Sequence, residues 1–108
     1  MQKVSEKYRE KTNSLIHSAS ESMKILDNMG FPEEALLISK IVPNSEDTKS
    51  LMTYWYFLGY QAEILEKLNR RQDAYEVYLQ CERASVMSEA YKRGIGIRRK
   101  KLEKHLKH

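Results

Sequence analysis

The side chains that could do chemistry are few and scattered. The histidines are His17, His105 and His108. His105-x₂-His108 places two imidazoles one helical turn apart, the beginning of a metal site, yet no cysteine or carboxylate cluster completes it, so no metal is expected. The single cysteine, Cys81, falls on an apolar stripe, where a buried structural thiol is expected rather than a nucleophile. "GIG" in "KRGIGIRRKK" has the glycines of a phosphate loop, but neither a preceding strand nor the Gly-Lys-Ser/Thr ending. Glu33-Glu34 and Glu46-Asp47 stand at helix starts, where the helix dipole accounts for them without general acid or base work. No catalytic residue and no cofactor are assigned, and the chain reads as a non-enzyme.

Two concentrations of residue type remain. The first is "YWYFLGY", residues 54–60, with five rings in seven positions. The second is the basic end. Residues 92–108 carry a net charge of +7 in a chain whose total is +4, so the other residues sum to −3. On a helix, Ile95, Leu102 and Leu106 would face the body while Arg98, Arg99, Lys101, Lys104 and Lys107 spread over the exposed side. A solvated capping helix, a dock for an acidic protein segment, and a contact for nucleic-acid phosphate all fit this pattern. The last is disfavoured because no aromatic residues interleave the charges.

These residues must be positioned by a small scaffold. At 108 residues, 41% hydrophobic and 31% charged, the chain reads as one soluble domain over 1–108, with 92–108 a basic capping helix or tail. No apolar run approaches the ~20 residues of a membrane span, and the opening "MQKVSEKYREK" lacks a signal-peptide core. With a lone cysteine, a cytoplasmic location is the default. Four glycines, two prolines and much Lys, Glu, Leu and Ala favour helix throughout.

The apolar residues Val4, Tyr8, Leu15, Ala19, Met23, Leu26 and Met29 recur at helical steps and predict a first helix ending at Gly30. "PEEALLISKIV" predicts a second, opened by Pro32 and stopped by Pro43. A third is expected from about Glu46 to Leu68, with rings on two faces. A fourth follows Asn69 over "RQDAYEVYLQCERA", and a fifth runs from about Ser88 toward Leu106. Gly94 and Gly96, inside that last helix, each cost about 1 kcal/mol relative to alanine and need a packing reason.

The helix pairs repeat. Gly30 precedes Ala35 by five residues, as Asn69 precedes Ala74. The offset is 39 residues, or 34 once the linker "PNSED" is removed, and 34 residues beyond Ala62 lies Gly96. Trp55-x₂-Leu58-Gly59 and Ala74-x₃-Tyr78 complete a pattern that resembles the tetratricopeptide repeat family, over roughly residues 15–105. Trp55 lies three residues too far from Ala74 for the literal register. Either the third helix is longer than usual or Ala62 takes the small position at the helix crossing; the step to Gly96 favours Ala62.

The resemblance implies an all-α, right-handed stack of about five antiparallel helices, about two and a half repeats. It also implies a protein- or peptide-binding adaptor, or a small regulator, with a groove on the first helix of each pair. On that basis the groove is expected to be lined by Glu21 and Lys24, by Tyr56, Tyr60, Glu63 and Lys67, and by Arg93, Ile97 and Lys100. Tyr56 and Tyr60 fit a core position and a partner-facing one equally well. Self-association through helix one is a further expectation, and nucleic-acid binding through the basic end is the alternative function.

Overall fold

The computed structural model describes residues 2–106, with side chains described from residue 6 on. Val4 as a stripe residue, Lys107, and the pairing of His105 with His108 therefore lie outside the described residues. The described chain is all-helical and without strands: α1 Gln2–Asn28, α2 Pro32–Ser39, α3 Glu46–Lys49, α4 Met52–Lys67, α5 Arg71–Glu82 and α6 Glu89–Leu106.

Six helices replace the expected five because the segment from Glu46 to Leu68 breaks in two. Ser45 caps α3 through a capping box: its hydroxyl accepts from the Thr48 amide at 3.3 Å and Thr48 Oγ1 accepts from the Ser45 amide at 2.9 Å. Ser50 then donates its hydroxyl to the Asp47 carbonyl at 2.7 Å, and Leu51 turns extended (φ −100°, ψ 129°) before α4 begins. Trp55 seals the break, since its indole N–H donates to the Lys49 carbonyl at 2.9 Å and the residue is 6% exposed. The segment around Ser45–Lys49 thus becomes a capped turn of helix held down by the tryptophan.

Two hairpins are closed by the same backbone device. After α1, Gly30 takes φ +89°; its amide donates to the Asp27 carbonyl and the Phe31 amide to the Leu26 carbonyl, at 3.1 and 2.8 Å. After α4, Asn69 takes φ 60°; its amide donates to the Glu66 carbonyl and the Arg70 amide to the Leu65 carbonyl, at 3.0 and 2.9 Å. The second bond of each pair is the six-to-one bond of a Schellman motif, which uses a left-handed residue to satisfy the last carbonyls of a helix. Every partner in the second turn lies 39 residues after its counterpart in the first. The same offset relates Ala35 to Ala74 and Met23 to Ala62, all fully buried.

α1 packs against α2, both lie on α4, α4 packs against α5, and α5 against α6. A core cluster runs through all of these contacts from Ile16, Ala19 and Met23 to Ile95 and Leu102. Tyr54, Trp55, Phe57 and Leu58 belong to it and Gly59 is buried beside them, so within the aromatic segment only Tyr56 and Tyr60 reach the surface. In α1 the expected stripe holds at Ala19 and Met23, with Leu15 and Leu26 half-buried, and fails at Tyr8 and Met29, which are exposed. The reason at Tyr8 is length: 27 residues of α1 rise about 40 Å whereas the eight of α2 rise about 12 Å, leaving the turn around Tyr8 without a neighbour.

Candidate interaction groove

Two hollows open on either side of α4. One, of about 240 Å³, lies between α1 and α4 and is lined by Ile16, His17, Ser20, Glu21, Lys24, Thr53, Tyr56, Phe57 and Tyr60. The other, of about 320 Å³, lies between α4 and α6 and is lined by Tyr56, Gly59, Tyr60, Glu63, Ala90, Tyr91, Gly94, Ile95 and Arg98. Tyr56 and Tyr60 belong to both, so the hollows meet over one ridge. Tyr56 is 52% exposed on that ridge, and its ring stands edge-on to Tyr91 with centroids 5.0 Å apart.

The ridge is held from both sides. Tyr60 donates its hydroxyl to Asp27 Oδ2 at 2.9 Å, and the Lys67 ammonium meets the same oxygen at 2.6 Å. The Asp27 side chain is only 5% exposed. The Lys67 hydrogen bond, helped by that from Tyr60 and resisted by burial, holds the Asp27 carboxyl below the usual carboxylate range. Burial first, and then the bond to Asp27, push the Tyr60 phenol up to about 12, so it remains a donor at neutral pH. On the α6 side, Tyr91 donates its hydroxyl to the Trp55 carbonyl at 2.8 Å. That approach passes over Gly59, where a Cβ would stand 3.0 Å from the Tyr91 hydroxyl. Glu63 and Arg98 pair across the rim at 3.2 Å.

Of the residues expected to form the groove, Glu21, Lys24, Tyr56, Tyr60 and Glu63 are brought together. Lys67 lines neither hollow and is engaged with Asp27. Arg93, Ile97 and Lys100 line neither hollow and stand exposed on α6. The groove row of α6 is Ala90, Gly94 and Arg98, one residue later in register than Arg93 and Ile97, which turns the face by about 100°. Two contacts invisible in the sequence set that register: the Tyr91 hydroxyl on α4 and Gly96 against Glu82 of α5, where a Cβ would lie 2.8 Å from Oε1. His17, Tyr91 and Gly94 line the hollows without having been expected there, and Asp27 supports Tyr60 from beneath. Tyr91 carries a signal, since it follows Tyr56 by close to the 34-residue step.

Known protein families, curated proteins and solved structures contain no match to this chain.

The basic end is less free than its composition implies. Arg98 is paired with Glu63, and Arg99, 17% exposed, donates to both Glu82 and Glu103. Both therefore brace α6 against α4 and α5 instead of forming an open patch. Lys101 and Lys104 are exposed. Lys101 and His105, with Arg71 and Glu66, line another hollow of about 240 Å³ where α5 begins. Cys81 is fully buried, and burial pushes its thiol up to about 11, so it is protonated and shielded at neutral pH. Among the described residues no group of three or more His, Cys, Asp or Glu is placed to hold a metal ion, and no helix is long and apolar enough to cross a membrane.

Proposed function

We propose that the protein is a non-enzymatic interaction module, a stack of tetratricopeptide-like hairpins that receives a segment of a partner protein in the groove across α1, α4 and α6. The observation that carries this reading is the junction of two hollows at a half-exposed tyrosine ridge, whose tyrosines are fixed from beneath by Asp27 and beside by Tyr91. Rigid aromatic residues with a pinned polar end supply contact area at low ordering cost, as in interface hot spots. Supporting the hairpin stack are the twice-used turn, the buried small residues at equivalent positions, and an order of packing in which each hairpin touches its sequence neighbour.

The test is photo-cross-linking from position 56 in cells that make the protein, followed by affinity measurement with the partner so caught. Tyr56→Ala should weaken binding about tenfold or more, corresponding to a hot-spot loss above about 1.4 kcal/mol. Leu37→Ala, on the exposed side of α2, should leave it unchanged. A partner that binds both variants equally well would remove the groove from consideration.

A further inference from the structure

Three of the four glycines have a local reason to lack a side chain. Gly30 holds a left-handed φ of +89°, Gly59 makes room for the Tyr91 hydroxyl, and Gly96 lies against Glu82. Gly94 has no such reason. Its φ is not left-handed, and nothing stands within 4 Å of where its Cβ would be. Inside α6 it forfeits helix propensity relative to alanine. Its empty side opens into the hollow between α4 and α6, facing Tyr56, Gly59, Tyr60 and Tyr91. The missing methyl makes room for nothing in this chain, so the space it leaves suits a group that enters from outside.

The groove also changes character along α6. Ala90, Gly94, Arg98, Lys101 and His105 share one face at helical spacing. The first two are small and the rest are basic. With a rise of about 1.5 Å per residue, Lys101 lies about 10 Å and His105 about 16 Å beyond Gly94. There Arg71 of α5 joins them around the third hollow. Two carboxylates share these walls: Glu63, paired with Arg98, and Glu66, which accepts from the Tyr78 hydroxyl. They would repel a uniformly charged polyanion, whereas exposed Lys101 and Arg71 suit separate carboxylates.

From this juxtaposition we propose that the groove takes a short acidic segment of a partner protein, in which one bulky apolar side chain seats over Gly94 and carboxylates reach Lys101 and Arg71. In an extended chain at about 3.3 Å per residue, that separation places the acidic residues three to five positions from the anchor. The proposal rests on the groove reading above and specifies what the groove accepts.

A random twelve-residue peptide library displayed on phage, selected on the full chain, tests it. Enriched peptides, synthesised with a fluorescent label and followed by anisotropy, should combine one large apolar residue with two or more Asp or Glu three to five positions away. Gly94→Leu and Tyr56→Ala should each weaken them at least tenfold, Lys101→Glu severalfold, and added salt progressively. Gly94→Ala gives the sharpest signature, raising the melting temperature while lowering affinity. Peptides lost with Gly94→Leu but lacking acidic residues overturn this inference and leave the groove reading standing. Peptides indifferent to both Gly94→Leu and Tyr56→Ala overturn the two together. The inference also falls if no peptide is enriched, or if a labelled single-stranded oligonucleotide binds more tightly than any peptide and is lost with Lys101→Glu.

Discussion

The contact between Tyr91 and the backbone of α4 makes a sharp double-mutant prediction. Tyr91→Phe removes a hydroxyl that donates to the Trp55 carbonyl at 2.8 Å. That carbonyl lies inside α4 and keeps its helical partner, so nothing is orphaned and the loss should be about 0.5–1.5 kcal/mol. Gly59→Ala by itself offers about 1 kcal/mol of helix propensity. In the native background, however, the new Cβ would meet the Tyr91 hydroxyl at 3.0 Å, and that ring is held against Tyr56. The hydroxyl must give by a few tenths of an ångström against a ring that is held in place, and overpacking of roughly 1–3 kcal/mol outweighs the propensity gain, so the net effect is destabilising by up to about 2 kcal/mol. In the Tyr91→Phe background the obstacle is gone, and the nearest remaining atom is Ile95 Cδ1 at 3.9 Å, an ordinary contact. Gly59→Ala should then stabilise by up to about 1 kcal/mol. Urea unfolding of the four proteins, followed by circular dichroism, measures the coupling, expected at about 1–3 kcal/mol. Additivity within about 0.5 kcal/mol would show that Gly59 and Tyr91 do not meet as described.

Other outcomes follow from the same geometry. Gly96→Ala and Gly94→Ala, two residues apart, should move melting temperature in opposite directions: down by about 1–2 kcal/mol of stability at 96, where Glu82 is held by Arg99, and up by as much as about 1 kcal/mol at 94. Because the folded carboxyl of Asp27 titrates below its ordinary value, its contribution is fully present above about pH 4 and disappears as pH falls through the lowered value. Asp27→Asn should therefore cost roughly 1–3 kcal/mol at neutral pH and flatten the acid limb of the stability curve; an unchanged acid limb would refute the assignment. The thiol of Cys81 should react with a disulfide reagent at mildly alkaline pH only as fast as the chain unfolds, and a fast burst in native buffer would contradict its burial.

How far the fold can be read in advance depends on what kind of signal each feature leaves. Gly30 and Asn69 announce the two hairpin turns because a left-handed backbone position demands particular residues, and both take positive φ. Buried Ala35, Ala62 and Ala74 follow from spacing, since close helix crossings tolerate little else. The break at Ser50 and Leu51 leaves no proline or glycine; it arises from Ser45, Thr48 and Ser50 hydroxyls competing for backbone groups, which composition cannot distinguish from a helix. The groove is legible on α1 and α4, whose faces follow from the apolar stripes. On α6 the sequence places it one residue out, because only the long-range contacts of Tyr91 and Gly96 set that helix's rotation. Arg99 reads as surface charge in the sequence, and its role as a brace between Glu82 and Glu103 depends on helices brought together from different parts of the chain.

The overhang of α1 has a consequence for how the molecule comes apart. Residues 6–11 are exposed all round, and a lone stretch of helix so short has little stability of its own. Trypsin should therefore trim the tip after Lys7, Arg9 or Lys11 while the body, beginning at buried Thr12, resists digestion. The shortened product should melt almost where the parent does, marking Thr12 as the place where solvent gives way to protein.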